Sequence, residues 1–385
     1  MQKRNVSQQL CSGCGGCVSL CPVGAIIMIR DNRGFYRAEV DEQKCIYCGM
    51  CAKYCTMNRH PGTGTPLESF AAYNRDEQLR HRSSSGGLFT ALARRIIAAG
   101  GVVVGAAFDE KLQLKHVFAE TEEQLEALRG SKYLQSDIRG VYPRVKELLE
   151  AGRKVLFVGT PCQVAGLQTA LCQSFDNLYT CDLICHGAPS AGLFQGYVSY
   201  LEKKYRGSIV GYDFRSKDCA NARMSYTVKL TMADGREYFL SGDEEPYTMR
   251  FISGALQADS CSSCPYAAHS RVADLTLGDY WGYERAHPEL EQIRGVSLVL
   301  VNTPAGKTLL EESQGLELVE TTAEKYLPKN NHLSVPGRKH PQRDGIYEAF
   351  AARGFTKAFY KKYFLPDGHG MYILKRRILA LIKRR

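Results

Sequence analysis

Cys11-Ser-Gly-Cys14-Gly-Gly-Cys17-Val-Ser-Leu-Cys21-Pro22 and Cys45-Ile-Tyr-Cys48-Gly-Met-Cys51-Ala-Lys-Tyr-Cys55-Thr56 hold eight of the fifteen cysteines in this chain. Both runs read C-x2-C-x2-C-x3-C. At that spacing three thiolates on one tight loop reach three corners of a 4Fe–4S cubane, and the fourth cysteine ligates the cluster of the other run. The expected ligand sets are therefore Cys11, Cys14, Cys17 and Cys55 for one cluster, and Cys45, Cys48, Cys51 and Cys21 for the second. Ser12, Gly13, Gly15 and Gly16 in the first run, and Gly49 in the second, are small enough to let backbone N–H groups face the sulfurs. Pro22 ends any helical path at Cys21 and turns that ligand toward the distant site. The second run has Thr56 at the proline position, a departure that removes no ligand. Zinc would take only four cysteines per site, and disulfides need an oxidising compartment. Two copies of a four-cysteine run point to clusters.

The length of 385 residues suggests two or three domains with ample chain for a core, and 44% apolar and 23% charged residues are those of a globular protein. No apolar stretch opens the chain as a secretory signal would, and no apolar run approaches the ~20 residues of a membrane-spanning helix. Fifteen cysteines without an export signal imply a reducing cytoplasm and metal ligation. Oxygen-sensitive cubanes would suit an anaerobe. The formal charge is +10, and six of those charges (Lys375, Arg376, Arg377, Lys383, Arg384 and Arg385) fall in the acid-free tail Met371–Arg385. That tail alternates aliphatics with basic pairs. It suits an anionic inner-membrane surface, as a peripheral contact, as well as a basic helix on its own domain. The mildly basic remainder suits docking of an acidic carrier such as a ferredoxin. No nucleic-acid module is present.

Between the cysteine runs, 25–29 and 36–40 read as strands of a hairpin around Asp31-Asn-Arg-Gly34. The Pro, Gly and Thr residues of 59–69 mark a linker. The expected division is a two-cluster unit over 1–58, the linker, a larger domain over 70–335, and a polar segment with the basic tail over 336–385. In the larger domain, Ser83-Ser-Ser-Gly-Gly87 precedes a helix over 88–99 and a strand over 101–108. Such a loop suits a phosphate at a helix N-terminus, or simple capping by Ser85. Lys154–Val158 is a buried strand that ends in Gly159-Thr-Pro-Cys162-Gln163 and leads into a helix, the place where α/β proteins put a ligand. The strand 178–184 ends in Cys185-His186-Gly187, and Asp234-Gly235 turns a hairpin within 226–239.

Four further cysteines lie at expected strand ends or in a C-x2-C pair: Cys162, Cys185, Cys261 and Cys264. They make a third four-thiolate site plausible, with Cys181 competing for the place of Cys185. Cys172 and Cys219 read as ordinary small residues.

Ser84-Ser-Gly-Gly87, Gly130-Ser-Lys-Tyr133, Gly159-Thr-Pro-Cys-Gln163, Asp182-Leu-Ile-Cys-His-Gly187, Cys261-x2-Cys264 and Asp274-Leu-Thr-Leu-Gly-Asp-Tyr-Trp-Gly282 occur in this order. With them the chain resembles the family of coenzyme F420 hydrogenase/dehydrogenase beta subunits, fused behind a two-cluster ferredoxin, over roughly Cys11 to Ser313. The family includes the beta subunits of deazaflavin-reducing hydrogenase and formate dehydrogenase, ferredoxin-dependent reductases of chlorophyll derivatives, and proteins associated with exopolysaccharide genes.

The resemblance implies an α+β / α/β fold, with a small ferredoxin-like domain followed by a larger mixed α/β flavin-binding domain. It implies FAD, and a third 4Fe–4S cluster on Cys162, Cys185, Cys261 and Cys264. Carried onto this chain, the cofactor contacts are Ser84, Ser85, Gly86, Gly87, Ser131, Lys132, Tyr133, Gln135 and Thr160, with Asp274 and Asp279 orienting loops. Lys132 would place a cation at the flavin, and His186 would donate a proton or serve as a structural hydrogen bond. Many members carry a Gly-Trp pair where this chain has Asp218-Cys-Ala-Asn-Ala-Arg-Met224, so a substrate-side loop differs. The expected function is an iron–sulfur flavoprotein oxidoreductase. It would pass electrons between ferredoxin-type clusters and FAD, with hydride exchange to coenzyme F420 or another small organic substrate. The alternatives are an electron-transfer subunit of a larger hydrogenase/dehydrogenase, or a structural metal protein without flavin.

Overall fold

The structure, a computed structural model, describes residues 10–58, 64–218 and 226–365. Part of the expected linker, Cys219 with most of the divergent loop, and the basic tail lie outside the described residues.

The two cysteine runs fold as a repeat. Each enters a short helix, Gly16–Leu20 or Met50–Lys53, through a glycine in the left-handed region, Gly15 at φ 77° and Gly49 at φ 74°. A side chain there would be strained. Cys21 caps the first helix in an extended conformation (φ −72°, ψ 114°), as the residue before a proline should. Strands β1 (Ile26–Arg30) and β2 (Tyr36–Val40) pair antiparallel. The turn between them is held by Asp31, whose Oδ1 accepts the amides of Arg33 at 3.0 Å and Phe35 at 2.9 Å.

The large domain is built on an eight-stranded sheet of β3 (Glu68–Asn74), β4 (Val102–Phe108), β5 (Leu114–Ala119), β6 (Val155–Gly159), β7 (Leu178–Leu183), β11 (Leu275–Asp279), β12 (Ser297–Val301) and β13 (Leu316–Glu320). A second sheet consists of β8 (Ile209–Asp213), β9 (Val228–Met232) and β10 (Glu237–Leu240). In the large sheet the order is β13-β3-β12-β11-β7-β6-β4-β5. The four central strands β11, β7, β6 and β4 run parallel, and the flanking pairs are antiparallel. Val102–Val104 and Val155–Phe157 are fully buried, the continuous apolar runs of a parallel sheet covered on both faces. Helices Leu88–Ala98 and Glu122–Leu128 share one apolar core with the sheet, and helices Val141–Glu150 and Pro161–Leu171 share another.

The sequence suggests a ferredoxin unit joined by a linker, yet packing does not break there. Ile26, Met28, Phe35, Tyr36 and Ala38 of the hairpin belong to the same apolar cluster as Leu193, Phe194 and Tyr197 of helix Ala191–Tyr205. The polar segment expected beyond 335 also contributes to this cluster. Its helices Arg343–Arg353 and Lys357–Tyr363 bury Ile346, Tyr347, Phe359 and Tyr360, and Phe364 follows, among basic neighbours whose charge masks the apolar face in the sequence.

Gln135, expected at a cofactor, turns the other way and ties the two units together. Its Oε1 accepts the Tyr36 amide at 2.7 Å, and its Nε2 donates to the carbonyls of Tyr36 and Ser12, both at 3.1 Å. Gln135→Leu strands these buried groups. It should lower stability by about 1–3 kcal/mol for each group left unpaired, read as a lower denaturation midpoint of the iron-loaded protein. An unchanged midpoint would show that the two units do not depend on this amide.

Candidate functional site: cysteine groups and the sheet-end cavity

Cys11, Cys14, Cys17 and Cys55 line one small cavity with Ser12, Gly15, Ala38, Tyr54 and Thr56. The fold thus brings the last cysteine of the second run beside the first three of the first run, the neighbourhood that a crossed ligand set needs. Backbone amides face the sulfurs: Gly13 N–H donates to Cys11 Sγ at 3.4 Å, Ala25 to Cys21 at 3.2 Å and Tyr47 to Cys45 at 3.4 Å. Burial, then the neighbouring thiols of Cys14, Cys11 and Cys55, push the Cys17 thiol up. Among the described residues no three His, Cys, Asp or Glu side chains converge on a single ion. Cys48 of the other run is exposed, and beside it Ile46 and Tyr47 are each 60% exposed.

A further cysteine group lies at the carboxyl ends of β6 and β7. Burial and the thiols of Cys264, Cys185 and Cys14 hold the Cys162 thiol well above its usual range. Burial with Cys261 and Cys264 pushes Cys185 up to about 12, and burial with Cys264 pushes Cys261 up to about 11. Cys185 and Cys264 thus lie near both Cys162 and Cys261, and Cys14 of the ferredoxin unit lies near Cys162. Cys181 points instead into the apolar core, fully buried with Leu156, Leu275 and Val299. The two positions differ because the strand ends after Leu183, which leaves Cys185 on the loop. Arg271 is buried beside the group, 3.0 Å from the fully buried Asp182, and its charge acts to lower the Cys185 and Cys264 thiol pKa values.

Next to Cys185, a cavity of about 640 Å³ opens at the carboxyl ends of β4, β6, β7 and β11. Ser84, Ser85, Gly87, Ser131, Lys132, Tyr133, Thr160, His186 and Asp279 line it. Ser84 Oγ accepts the Ser131 amide at 2.7 Å, joining two of the expected loops. Ser85 does not cap the following helix: its hydroxyl donates to the Val296 carbonyl at 3.0 Å, and Gly87 at φ 81° occupies the cap position. Gly86 is spent on packing, its amide donating to Ser297 Oγ at 2.9 Å. Asp274 sits at the opposite end of β11, where it accepts from the Thr180 amide at 2.8 Å and from the hydroxyls of Thr180 and Thr303, both at 2.6 Å. Its place is the base of the sheet, because strand direction separates it from Asp279 by the length of β11.

Lys132, expected to place a cation at the flavin, and His186, expected to donate a proton or serve as a structural hydrogen bond, are both engaged within the protein. Lys132 Nζ donates to three carbonyls at the end of helix Glu122–Leu128: Ala127 at 3.0 Å, Leu128 at 2.9 Å and Arg129 at 2.6 Å. Burial pulls its pKa down to about 7, while the helix C-terminus favours the cation. An ammonium has three N–H donors, so none is left for a ligand. His186 Nε2 donates to the Ile252 carbonyl at 2.8 Å, which leaves Nδ1 to accept from His332 Nε2 at 2.5 Å. The structural hydrogen bond is the role this geometry supports.

Sequence reasoning passed over Arg215, Tyr226 and Trp281 at the cavity. The Arg215 guanidinium lies 5.0 Å from the Tyr226 ring centre and 5.9 Å from that of Trp281, pairs with Asp279 at 2.7 Å and donates to the Ser84 carbonyl at 3.2 Å. It also passed over a chain of hydrogen bonds from the cavity wall to Cys162. Gln163 Nε2 donates to Ser136 Oγ at 2.8 Å, Ser136 Oγ lies 3.0 Å from His116 Nδ1, and Thr160 Oγ1 donates to Gln163 Oε1 at 3.0 Å and lies 3.2 Å from Cys162 Sγ. Burial pulls the His116 pKa down to about 4, so the ring is neutral. The Gln163 that follows Cys162 in the loop motif was the available signal.

Residues 69–141 match the family model for the N-terminal part of the coenzyme F420 hydrogenase/dehydrogenase beta subunit, and 152–325 match the model for its C-terminal part. Residues 10–58 match the 4Fe-4S dicluster domain. The chain is 25% identical over 175 residues to one component, designated F, of the F(420)H(2) dehydrogenase of Methanosarcina mazei, covering 41% of this chain and 47% of that protein. It thus matches about half the length of that relative. An uncharacterized ferredoxin of Methanocaldococcus jannaschii is 40% identical over 53 residues, 14% of this chain and 68% of that protein. Among solved structures, the F420-reducing NiFe hydrogenase complex from Methanosarcina barkeri has a chain that aligns with a TM-score of 0.45 at 17% identity, over 76% of this chain and 89% of that one. The N-terminal unit binds 4Fe–4S clusters, and behind this dicluster domain the chain belongs to the family of coenzyme F420 hydrogenase/dehydrogenase beta subunits.

Proposed function

We propose that this chain is an oxidoreductase that relays single electrons between the N-terminal clusters and FAD held in the sheet-end cavity, through a third 4Fe–4S cluster on Cys162, Cys185, Cys261 and Cys264. The observation that carries the reading is the placement of those thiols: Cys162 is one turn from Gly166, against which Cys14 packs, and Cys185 lines the cavity on the other side. When bound, a flavin accepts electrons one at a time and exchanges them in pairs as hydride.

The residues present fit such a group. A cavity of about 640 Å³ is of ligand size, and it combines aromatic walls with a few polar points. Tyr133, Phe251 and Trp281 offer flat apolar surface. The Ser84 and Ser131 loops offer small polar groups at the wall, and Arg215 supplies a cation for an anionic pyrophosphate. Because Lys132 and His186 are fully engaged, this chain's side chains position and polarise there, and proton transfer stays with the substrate and solvent. The substrate is the deazaflavin coenzyme F420 or another small organic hydride acceptor. The exposed Cys48 loop favours a second role alongside, as the electron port for a ferredoxin or a larger hydrogenase/dehydrogenase complex.

Anaerobic purification should yield about twelve irons, from three cubanes of four, and one FAD per chain. Bleaching of the flavin by reduced coenzyme F420 would support the deazaflavin substrate, and bleaching by reduced ferredoxin alone would favour another acceptor. About eight irons and no flavin would overturn the proposal. The cysteines separate within it: Cys185→Ser should lose about four irons and leave the ferredoxin signals intact. Cys181→Ser should keep all its iron and lose only thermal stability.

A further inference from the structure

The ferredoxin unit meets the large domain at a place built for close approach. Helix Pro161–Leu171 carries Cys162 in its first turn and Gly166 one turn later, so both face the same way. Cys14 rests on Gly166: a Cβ at Gly166 would lie 2.9 Å from the Cys14 carbonyl oxygen and 3.1 Å from Cys14 Cβ. The approach is mutual, since a Cβ at Gly16 would lie 2.8 Å from the Gly166 carbonyl oxygen and 3.1 Å from its Cα. Distances under 3.0 Å to backbone atoms leave no room for a side chain at either glycine.

Two buried tyrosines close this contact. Tyr142, 2% exposed, places its hydroxyl 2.6 Å from the Cys14 carbonyl and 2.9 Å from the Gln163 carbonyl, sharing one proton between the neighbourhoods of Cys14 and Cys162. Tyr266, 3% exposed and two residues after Cys264, donates to the Thr56 carbonyl beside Cys55 at 2.7 Å. Each phenol thus links a residue at the first N-terminal ligand set to a residue at the third. The Cys45, Cys48 and Cys51 run, with Cys48 exposed, faces solvent instead.

Resting on the three-cluster reading, we propose that the Gly16–Gly166 contact, closed by Tyr142 and Tyr266, is the electron crossing between the two domains. It also fixes the order of transfer: electrons enter at the Cys21/Cys45/Cys48/Cys51 cluster, pass to the Cys11/Cys14/Cys17/Cys55 cluster, and cross to the Cys162 cluster. Each crossing oxidises the Cys14 cluster by one electron and reduces the Cys162 cluster by one. Two crossings are balanced by one hydride at the cavity, with the proton taken from solvent. The electrons come from a reduced one-electron iron–sulfur protein.

The test uses the full chain loaded with its clusters. Gly166→Ala inserts a methyl between the helices, and the double substitution Tyr142→Phe with Tyr266→Phe removes both bridges with no added bulk. Two quantities are read: the magnetic coupling between reduced clusters by electron paramagnetic resonance, and the rate at which a photoreduced two-cluster ferredoxin reduces the third cluster, by freeze-quench. Both should fall severalfold in either variant while iron content stays at the wild-type level. If Gly166→Ala loses iron, the double phenylalanine variant decides by the same two readings. Full iron with unchanged coupling and rate overturns the crossing and leaves the three-cluster reading standing. Wild-type protein with about eight irons and no third signal overturns the three-cluster reading, and the crossing with it.

Discussion

The parallel strands at the centre of the large sheet are buried on both faces, and everything functional follows from that constraint. Val102–Val104 and Val155–Phe157 admit no polar group along their length. Chemistry can only sit where the strands stop and backbone N–H groups become free. β6 stops at Gly159 and β7 at Leu183, and each is followed within three residues by a cysteine of the third group, Cys162 or Cys185. The same strand ends open into the cavity. A group of cysteines and a ligand-sized cavity are neighbours here because one edge of one sheet supplies both.

The same geometry brings the ferredoxin unit to that edge. Helix Pro161–Leu171 begins at the end of β6, so Thr160 and Gln163 at its start line the cavity, while Gly166, on the same face as Cys162, lies against Cys14 of the unit that covers it. The covering is extensive: hairpin residues share an apolar cluster with helix Ala191–Tyr205, and Gly34 meets Gly192 with its carbonyl accepting the Gly192 amide at 3.0 Å. A buried charge network adds orientation, with Asp259 taking Arg343 Nη1 at 2.5 Å and lying 3.4 Å from Arg33 of the hairpin turn. Pairs as enclosed as Arg343–Asp259 gain little net stability over apolar contact, but they tolerate few alternative arrangements. Their value is in holding one pose.

Much of this was legible in the sequence because it was written in spacing. The eight N-terminal cysteines, the hairpin turn at Asp31, the strand ends at Gly159 and Cys185 and the turn at Asp234-Gly235 each combine a residue type with a fixed interval. What escaped depends on direction in space. Gln135 sits two residues beyond Tyr133 in the same loop, yet one lines the cavity and the other clamps the ferredoxin hairpin. Asp274 and Asp279 belong to one motif, and β11 carries them to opposite ends of the sheet. The C-terminal helices were hidden for a different reason. Tyr347, Phe359 and Phe364 are buried, but Arg353, Lys357, Lys361 and Lys362 are interspersed among them, so no continuous apolar run marks the segment.

The fate of Lys132 and His186 bears on what kind of site this is. Each was conspicuous as a titratable residue beside a motif, and each is held by backbone carbonyls that use up its donors. His116, a third candidate at the wall, is neutral and enclosed by Ser136 and the Val158 carbonyl, 3.1 Å away. A general acid or base needs a free position within hydrogen-bond reach of the reacting atom. This cavity withholds one at each of these three residues. What it offers instead is fixed positive charge from Arg215, aromatic surface, and a thiol group at its edge. That combination suits the transfer of electrons and hydride, which needs orientation and a field more than it needs a proton donor on the protein.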